Sequence, residues 1–334
     1  LGAIISGGQP APPFSVSPSP SPSSAPPSPS PSASRPVVGD DEPWISLIAQ
    51  TGAGYGVHFV RPDGSGLHRW AAEIPGTQEH PDWSPDGRQL VIDTVDGADV
   101  RDLWIADADG SDARRVIDCV DPCMGVDEPA WSPDGASIAF QRIVVGDLGT
   151  MTSTLEILDV ATETTRVVLT MPARQALLAP RWAPDGRRLV VEVVRLPEDS
   201  YQVDPDGGAI GIVDLDAAQP AVELLTDFDS FGQLPDWSPD GEWIVWAWSP
   251  DGDPGRTELL RARPDGTDVQ AITAVVPAGA AAVNPTYTPD GTRILFTRIA
   301  PTGDPELMSM AADGTDLRVS TADVAAFIGW PRLR

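Results

Sequence analysis

Two cysteines, three histidines and two recurring columns of polar residues are the groups in this chain whose types could do chemistry. Cys119 and Cys123 stand in CVDPC, close enough for a local disulfide. Two reduced thiols or a metal pair are the alternatives, and no second C-x-x-C or histidine-rich run supports the metal. His80, Glu128, Ala179, Leu234 and Asn284 occupy one repeated position. Asp82, Ala130, Arg181, Asp236 and Thr286 occupy the position two residues on. An imidazole, carboxylates and a guanidinium in such columns can hold a small polar ligand, a peptide terminus or a cation, or can pair with one another. His58 and His68 fall in strand-like runs and read as structural. Trp248–Glu258, with Asp251, Asp253 and Glu258, and DADGSD from Asp107 are loosely spaced like calcium loops but lack the full pattern. Calcium is therefore the one ion considered, with a plain acidic turn as the alternative, and no cofactor is expected. The loop Arg195–Ala209 carries Tyr201, an amphipathic contact residue. No G-x-S-x-G, H-E-x-x-H, Walker or G-x-G-x-x-G motif appears in the sequence, so no catalytic residue is assigned.

The columns are set by a repeat. HPDWSPDGRQLVIDT at His80 returns as EPAWSPDGASIAFQR at Glu128, APRWAPDGRRLVVEV at Ala179, LPDWSPDGEWIVWAW at Leu234 and NPTYTPDGTRILFTR at Asn284, with a frayed FIGWPRLR at Phe327. Its anchors, Trp83, Trp131, Trp182, Trp237, Tyr287 and Trp330, recur at about 50 residues, a period that belongs to repeat architectures. In S-P-D-G, proline presets φ for the second position of a type I turn, aspartate suits the third and glycine the fourth. The apolar runs that follow have period-two strand character with both parities apolar, so both faces are buried. Each repeat offers four strands, an antiparallel meander that cannot cover its own two faces. Packing such sheets around an axis does so and leaves only short edges. Three strands precede the first anchor and one inner strand follows the last repeat. Together they complete a sixth unit, with the last strand closing the ring on the first sheet.

The WSPDG anchor, the D-x-D-G second turn and the fourth strand resemble the TolB-like propeller repeat, over roughly residues 43–334. The resemblance implies an all-β fold, a six-bladed β-propeller of four-stranded antiparallel blades. It also implies an extracytoplasmic protein that binds other proteins. Related blades form the gating propellers of prolyl-oligopeptidase-like enzymes and the scaffold of some sugar-acid lyases. On the family geometry both polar columns line or approach the central channel, which makes His80, Asp82, Glu128, Arg181, Asp236, Asn284 and Thr286 the candidate binding residues beside Tyr201. The anchors are expected to pack between blades. Ala183, Tyr287 and Thr288 depart from the repeat.

Composition bounds the rest. Residues 1–8, LGAIISGG, read as the remnant of a signal peptide or membrane anchor. Residues 9–42 are a Pro/Ser-rich linker without the means to form a core, and residues 43–334 are the propeller. The net charge is −27 and lysine is absent. This balance argues against nucleic acid and against direct docking of the propeller on anionic lipid, leaving a tether through the N-terminus as the route to a membrane. The expectation is a monomeric, non-catalytic interaction or sensor module, periplasmic, secreted or on the cell surface, that holds a protein or peptide. The alternatives are a propeller enzyme, a lyase or metal-dependent hydrolase using the channel mouth, or a structural accessory module.

Overall fold

A computed structural model of the chain describes residues 43–97, 100–146, 151–196, 207–249, 256–273, 280–321 and 327–333. The expected anchor remnant and linker, Tyr201, and the calcium-like Asp251 and Asp253 all lie outside the described residues.

Among the described residues twenty-four strands follow one another, with one short 3-10 turn, Phe228–Ser230, between two of them. The first sheet contains β1 (Ile45–Thr51), β2 (Gly54–Val60) and β3 (His68–Arg69). The second contains β4 (Thr77–Trp83), β5 (Gln89–Val95), β6 (Arg101–Asp107) and β7 (Arg114–Ile117), and the third β8 (Cys123–Trp131), β9 (Ser137–Val145), β10 (Met151–Asp159) and β11 (Thr164–Thr170). The fourth contains β12 (Gln175–Trp182), β13 (Arg188–Arg195), β14 (Gly208–Asp214) and β15 (Val222–Leu224). The fifth contains β16 (Gly232–Trp237), β17 (Ile244–Trp248), β18 (Glu258–Ala262) and β19 (Gln270–Ala271), and the sixth β20 (Ala281–Tyr287), β21 (Arg293–Ile299), β22 (Pro305–Ala311) and β23 (Arg318–Thr321). The last strand, β24 (Phe327–Leu333), returns to the first sheet, where Ser46 pairs with Arg332 and Ile48 with Gly329. Within each sheet the strands pair antiparallel in chain order, and one parallel bridge, Arg101 to Gly125, joins the second sheet to the third. Each sheet packs on the next and the sixth packs on the first, as a ring requires.

The repeated stretch builds two devices. The first is the turn. Ser132 Oγ donates to Asp134 Oδ1 (2.6 Å), Ala136 N donates to the same oxygen (3.0 Å), and Ser137 N donates to Ser132 Oγ (2.9 Å). Ser84–Asp86, Ser238–Asp240 and Thr288–Asp290 repeat this arrangement. Gly135 completes the turn at φ 70°, a conformation that costs a side-chain-bearing residue energy. Ala183 lacks the hydroxyl, and there Arg188 Nε donates to Asp185 instead (3.0 Å).

The second device is a bulge. His80, Glu128, Ala179, Leu234 and Asn284 all have positive φ, between 44° and 55°, and each precedes a proline. The ladder register shifts across each of them. Proline has no N–H to give the ladder, so the extra residue is absorbed where pairing must lapse anyway. These residues therefore sit inside the inner strands, whereas the sequence places them at strand starts.

The apolar clusters each take residues from two consecutive sheets. Trp83 packs with Phe59 and Trp70 of the first sheet side, its ring centroid 5.0 Å from that of Phe59. Trp131 lies with Val91 and Leu103, Trp182 with Leu155 and Leu177, Trp237 with Val190 and Ile210, and Tyr287 with Val245 and Leu259. Nothing is described of the Trp330 side chain; its backbone belongs to β24.

Candidate functional site

Two charged clusters lie at the inner strands. The first is half exposed. Arg101 Nη1 donates to Asp93 Oδ2 (2.7 Å) and Glu79 Oε2 (2.9 Å), and its Nε lies 3.4 Å from Asp127 Oδ2. His80 Nδ1 lies 2.8 Å from Asp93 and 3.1 Å from Asp127. Tyr55 Oη donates to the other oxygen of Glu79 (3.3 Å). Three consecutive sheets thus meet in one network: Tyr55 from the first, Glu79, His80, Asp93 and Arg101 from the second, Asp127 from the third. Burial opposes a charge on His80, but Asp93 and Asp127 outweigh it and hold the imidazole protonated well above its ordinary range. Burial, then Glu79, pushes the Tyr55 phenol up to about 12. Asp93 and His80 are buried, while the side chains of Glu79, Arg101 and Asp127 keep 19–27% of their surface exposed.

The second cluster lies where sheets that are not neighbours meet, which places it at the axis. Asp82 of the second sheet interacts with Arg181 of the fourth, Arg332 of the first and Asp236 of the fifth. Arg332 Nε is 3.6 Å from Asp82 Oδ1. Burial, then Arg181, lowers the Arg332 guanidinium to about 10. Both aspartates also stitch sheets together. Asp82 Oδ2 accepts from Trp131 N (2.8 Å), and Asp236 Oδ2 accepts from Tyr287 N and Thr286 Oγ1 (2.9 Å each). Arg181 Nη1 donates to the carbonyls of Pro180 (3.0 Å) and Pro129 (3.3 Å). Two buried acids stand beside them, Glu128 reaching both clusters and Glu192 next to Glu128. Glu128 Oε2 accepts from Ala179 N, and Glu192 Oε2 accepts from Leu234 N (2.9 Å). Burial, then Glu128, pushes the Glu192 carboxyl up to about 8.

The candidate residues are therefore divided. His80 stands with Arg101, Asp93 and Asp127, while Asp82, Arg181 and Asp236 stand with Arg332. Glu128 lies between, and Thr286 bonds Asp236. Asn284 is 7% exposed, and its Oδ1 has no hydrogen-bond partner among the described residues. His80, Glu128, Arg181, Asn284 and Thr286 are all buried, so what faces solvent at this end is Glu79, Arg101, Asp127 and Tyr55. The sequence columns miss these four, and Asp93, Glu192 and Arg332 as well. A signal for two was present: Asp93 and Glu192 interrupt apolar runs, LVIDTV and LVVEVV, and a carboxylate in a doubly buried strand needs a partner.

Glu79, His80 and Asp93 offer three ligand atoms within 4.8 Å of one another. They do not fit a metal ion as they stand. The Arg101 guanidinium already bridges both carboxylates, and a protonated imidazole is no ligand. DADGSD forms a hairpin turn closed by Gly110 N donating to Asp107 O (2.7 Å). Cys119 and Cys123 are joined as a disulfide at the connection from β7 to β8, with Val120 of the bridged loop 65% exposed.

Comparison with known proteins fits this architecture. TolB of Alcanivorax borkumensis is 30% identical over 87 residues, 26% of this chain and 18% of that protein. The structure of a putative TolB from Agrobacterium tumefaciens superposes with a TM-score of 0.58 at 20% identity, covering 88% of this chain and 98% of that one. An oligogalacturonate lyase in complex with manganese superposes with a TM-score of 0.52 at 15% identity, covering 83% and 72%. The chain spans 60% or less of the length of the curated relatives it matches. The family model for the TolB beta propeller domain matches residues 99–322, the span that carries the Pro-Asp-Gly turns and the proline bulges from the third sheet to the sixth, and the chain belongs to that family.

Proposed function

We propose that the protein is a non-catalytic, extracytoplasmic interaction module that holds a protein or peptide partner at the channel mouth. The observation that carries this reading is the Tyr55–Glu79–Arg101–Asp127 cluster, three partly exposed charges and a phenol fixed by buried partners on a rigid ring. Such pre-placed charges give orientation and specificity to a partner without reorganising. The disulfide supports an oxidising compartment. The test is affinity capture from the envelope fraction of the source cell, with residues 40–334 of wild type and of Glu79→Arg as baits. A protein retained by wild type and lost by Glu79→Arg supports the reading; equal retention by both baits overturns it.

A second reading, an enzyme of the channel mouth, draws on the similarity to a manganese-containing lyase and on the ligand-like spacing of Glu79, His80 and Asp93. The Arg101 bridge opposes it. Manganese that raises the melting temperature of wild type but not of His80→Gln would favour the enzyme.

A further inference from the structure

The turn end of the ring, away from the channel mouth, holds a groove of about 1120 Å³ between the outer strand of the fourth sheet and two turns of the fifth. Its walls are β15 with the end of β14 on one side, and the turns before β17 (Gly241, Glu242) and after β18 (Pro264–Gly266) on the other. Three of its properties point to an occupant.

The first is an open edge. β15 is the terminal strand of its sheet, paired to β14 alone in the described sheet order, and its whole length lines the groove. An unpaired strand edge accepts an extended segment through main-chain hydrogen bonds. The second is an apolar step. Leu224 is 45% exposed, and Leu225 beside it reaches Gly266 across the groove, where an added Cβ would lie 3.5 Å from Leu225 Cδ1. The third is charge. Asp214, Glu223 and Asp265 are exposed in the groove and have no ion-pair partner among the described residues. The two arginines there are already engaged. Arg263 pairs with Glu242 (2.7 Å) and stacks 4.0 Å over Trp243, and Arg188 pairs with Asp185 (2.8 Å) and stacks 5.0 Å over Trp237. The field left over is negative, in a molecule whose net charge is −27.

We propose that this groove docks an extended, basic peptide segment of a partner protein, which adds to the β15 edge, seats an apolar side chain on Leu224 and places arginine or lysine against Asp214, Glu223 and Asp265. This site is separate from the channel mouth and does not depend on the reading given to it.

The probe is a fluorescein-labelled peptide of about eight residues alternating arginine and valine, since alternate side chains of a strand share a face. Anisotropy is read on the purified full chain. One-to-one binding is expected, weakening as salt is raised. Glu223→Arg/Asp265→Arg should weaken binding at least tenfold. Asp118→Arg/Asp121→Arg, the same charge change on exposed loop-end residues, should leave it within about twofold of wild type. Glu79→Arg should also leave it unchanged, so failure here and failure of the channel-mouth reading are read separately. If the groove double variant melts lower than wild type, Glu223→Arg alone, at an exposed position, carries the comparison. No binding, or equal weakening by both double variants, overturns the proposal. Self-association abolished by Glu223→Arg would assign the edge to a second copy and overturn it as well.

Discussion

His80 holds its charge in a buried position between Asp93 and Asp127. Its folded pKa lies above its unfolded value of about 6.5, so its contribution is complete below that pH and is lost as pH rises through the folded value. Wild type should therefore lose melting temperature on the alkaline side more steeply than His80→Gln, a comparison read from thermal melts at several pH values. Parallel curves would remove His80 from the network. Glu192 has the same sign for a different reason: burial, then Glu128, favours its neutral form up to about pH 8. Stability from this group is full below its unfolded pKa of about 4.5 and drains away as pH rises from there to its folded value of about 8. Glu192→Gln keeps an oxygen for Leu234 N and removes the penalty, so its melting temperature relative to wild type should rise between pH 5 and pH 8.5. A difference that does not change with pH would contradict the assignment.

At the scale of the strand and turn, the same short stretch serves twice, first as bulge and then as turn. Trp131 is 7% exposed and packs between the second and third sheets, so Trp131→Ala should cost roughly 3–5 kcal/mol in a denaturant titration. Asp236→Ala strands Tyr287 N and Thr286 Oγ1, and the expected loss is roughly 1–3 kcal/mol. A loss near zero in either case would deny the stitching between sheets. The strands and turns were legible in the sequence because their causes are local: proline and glycine at set positions and apolar residues in both parities. The bulges were half legible. Proline in five inner strands marks where a ladder must lapse, but the left-handed residue before it, and so the way the polar column is turned inward and buried, depends on the partner strand. Arg101 and Asp127 escaped notice because each joins the site only when neighbouring sheets pack, and nothing local distinguishes them from other charged strand ends.

At the scale of the molecule the ring is held by contacts between successive sheets and by β24 on β1. Ending the chain before β24 leaves the β1 edge unpaired and removes Arg332 from the axis, where it faces Asp82. That truncation should lower the melting temperature by at least about 5 °C, beyond what a single surface contact supplies. The proposed function rests on the mouth of the ring, so the most direct measurement is photo-crosslinking in the source cell. A benzophenone amino acid would replace Val120 or Met124, both exposed at the loop end, and, as the comparison, the exposed Asp313 at the turn end. A discrete adduct with one partner protein is expected from positions 120 and 124 and none of that mass from position 313. The same adduct from all three positions, or from position 313 alone, would contradict a partner held at the channel mouth.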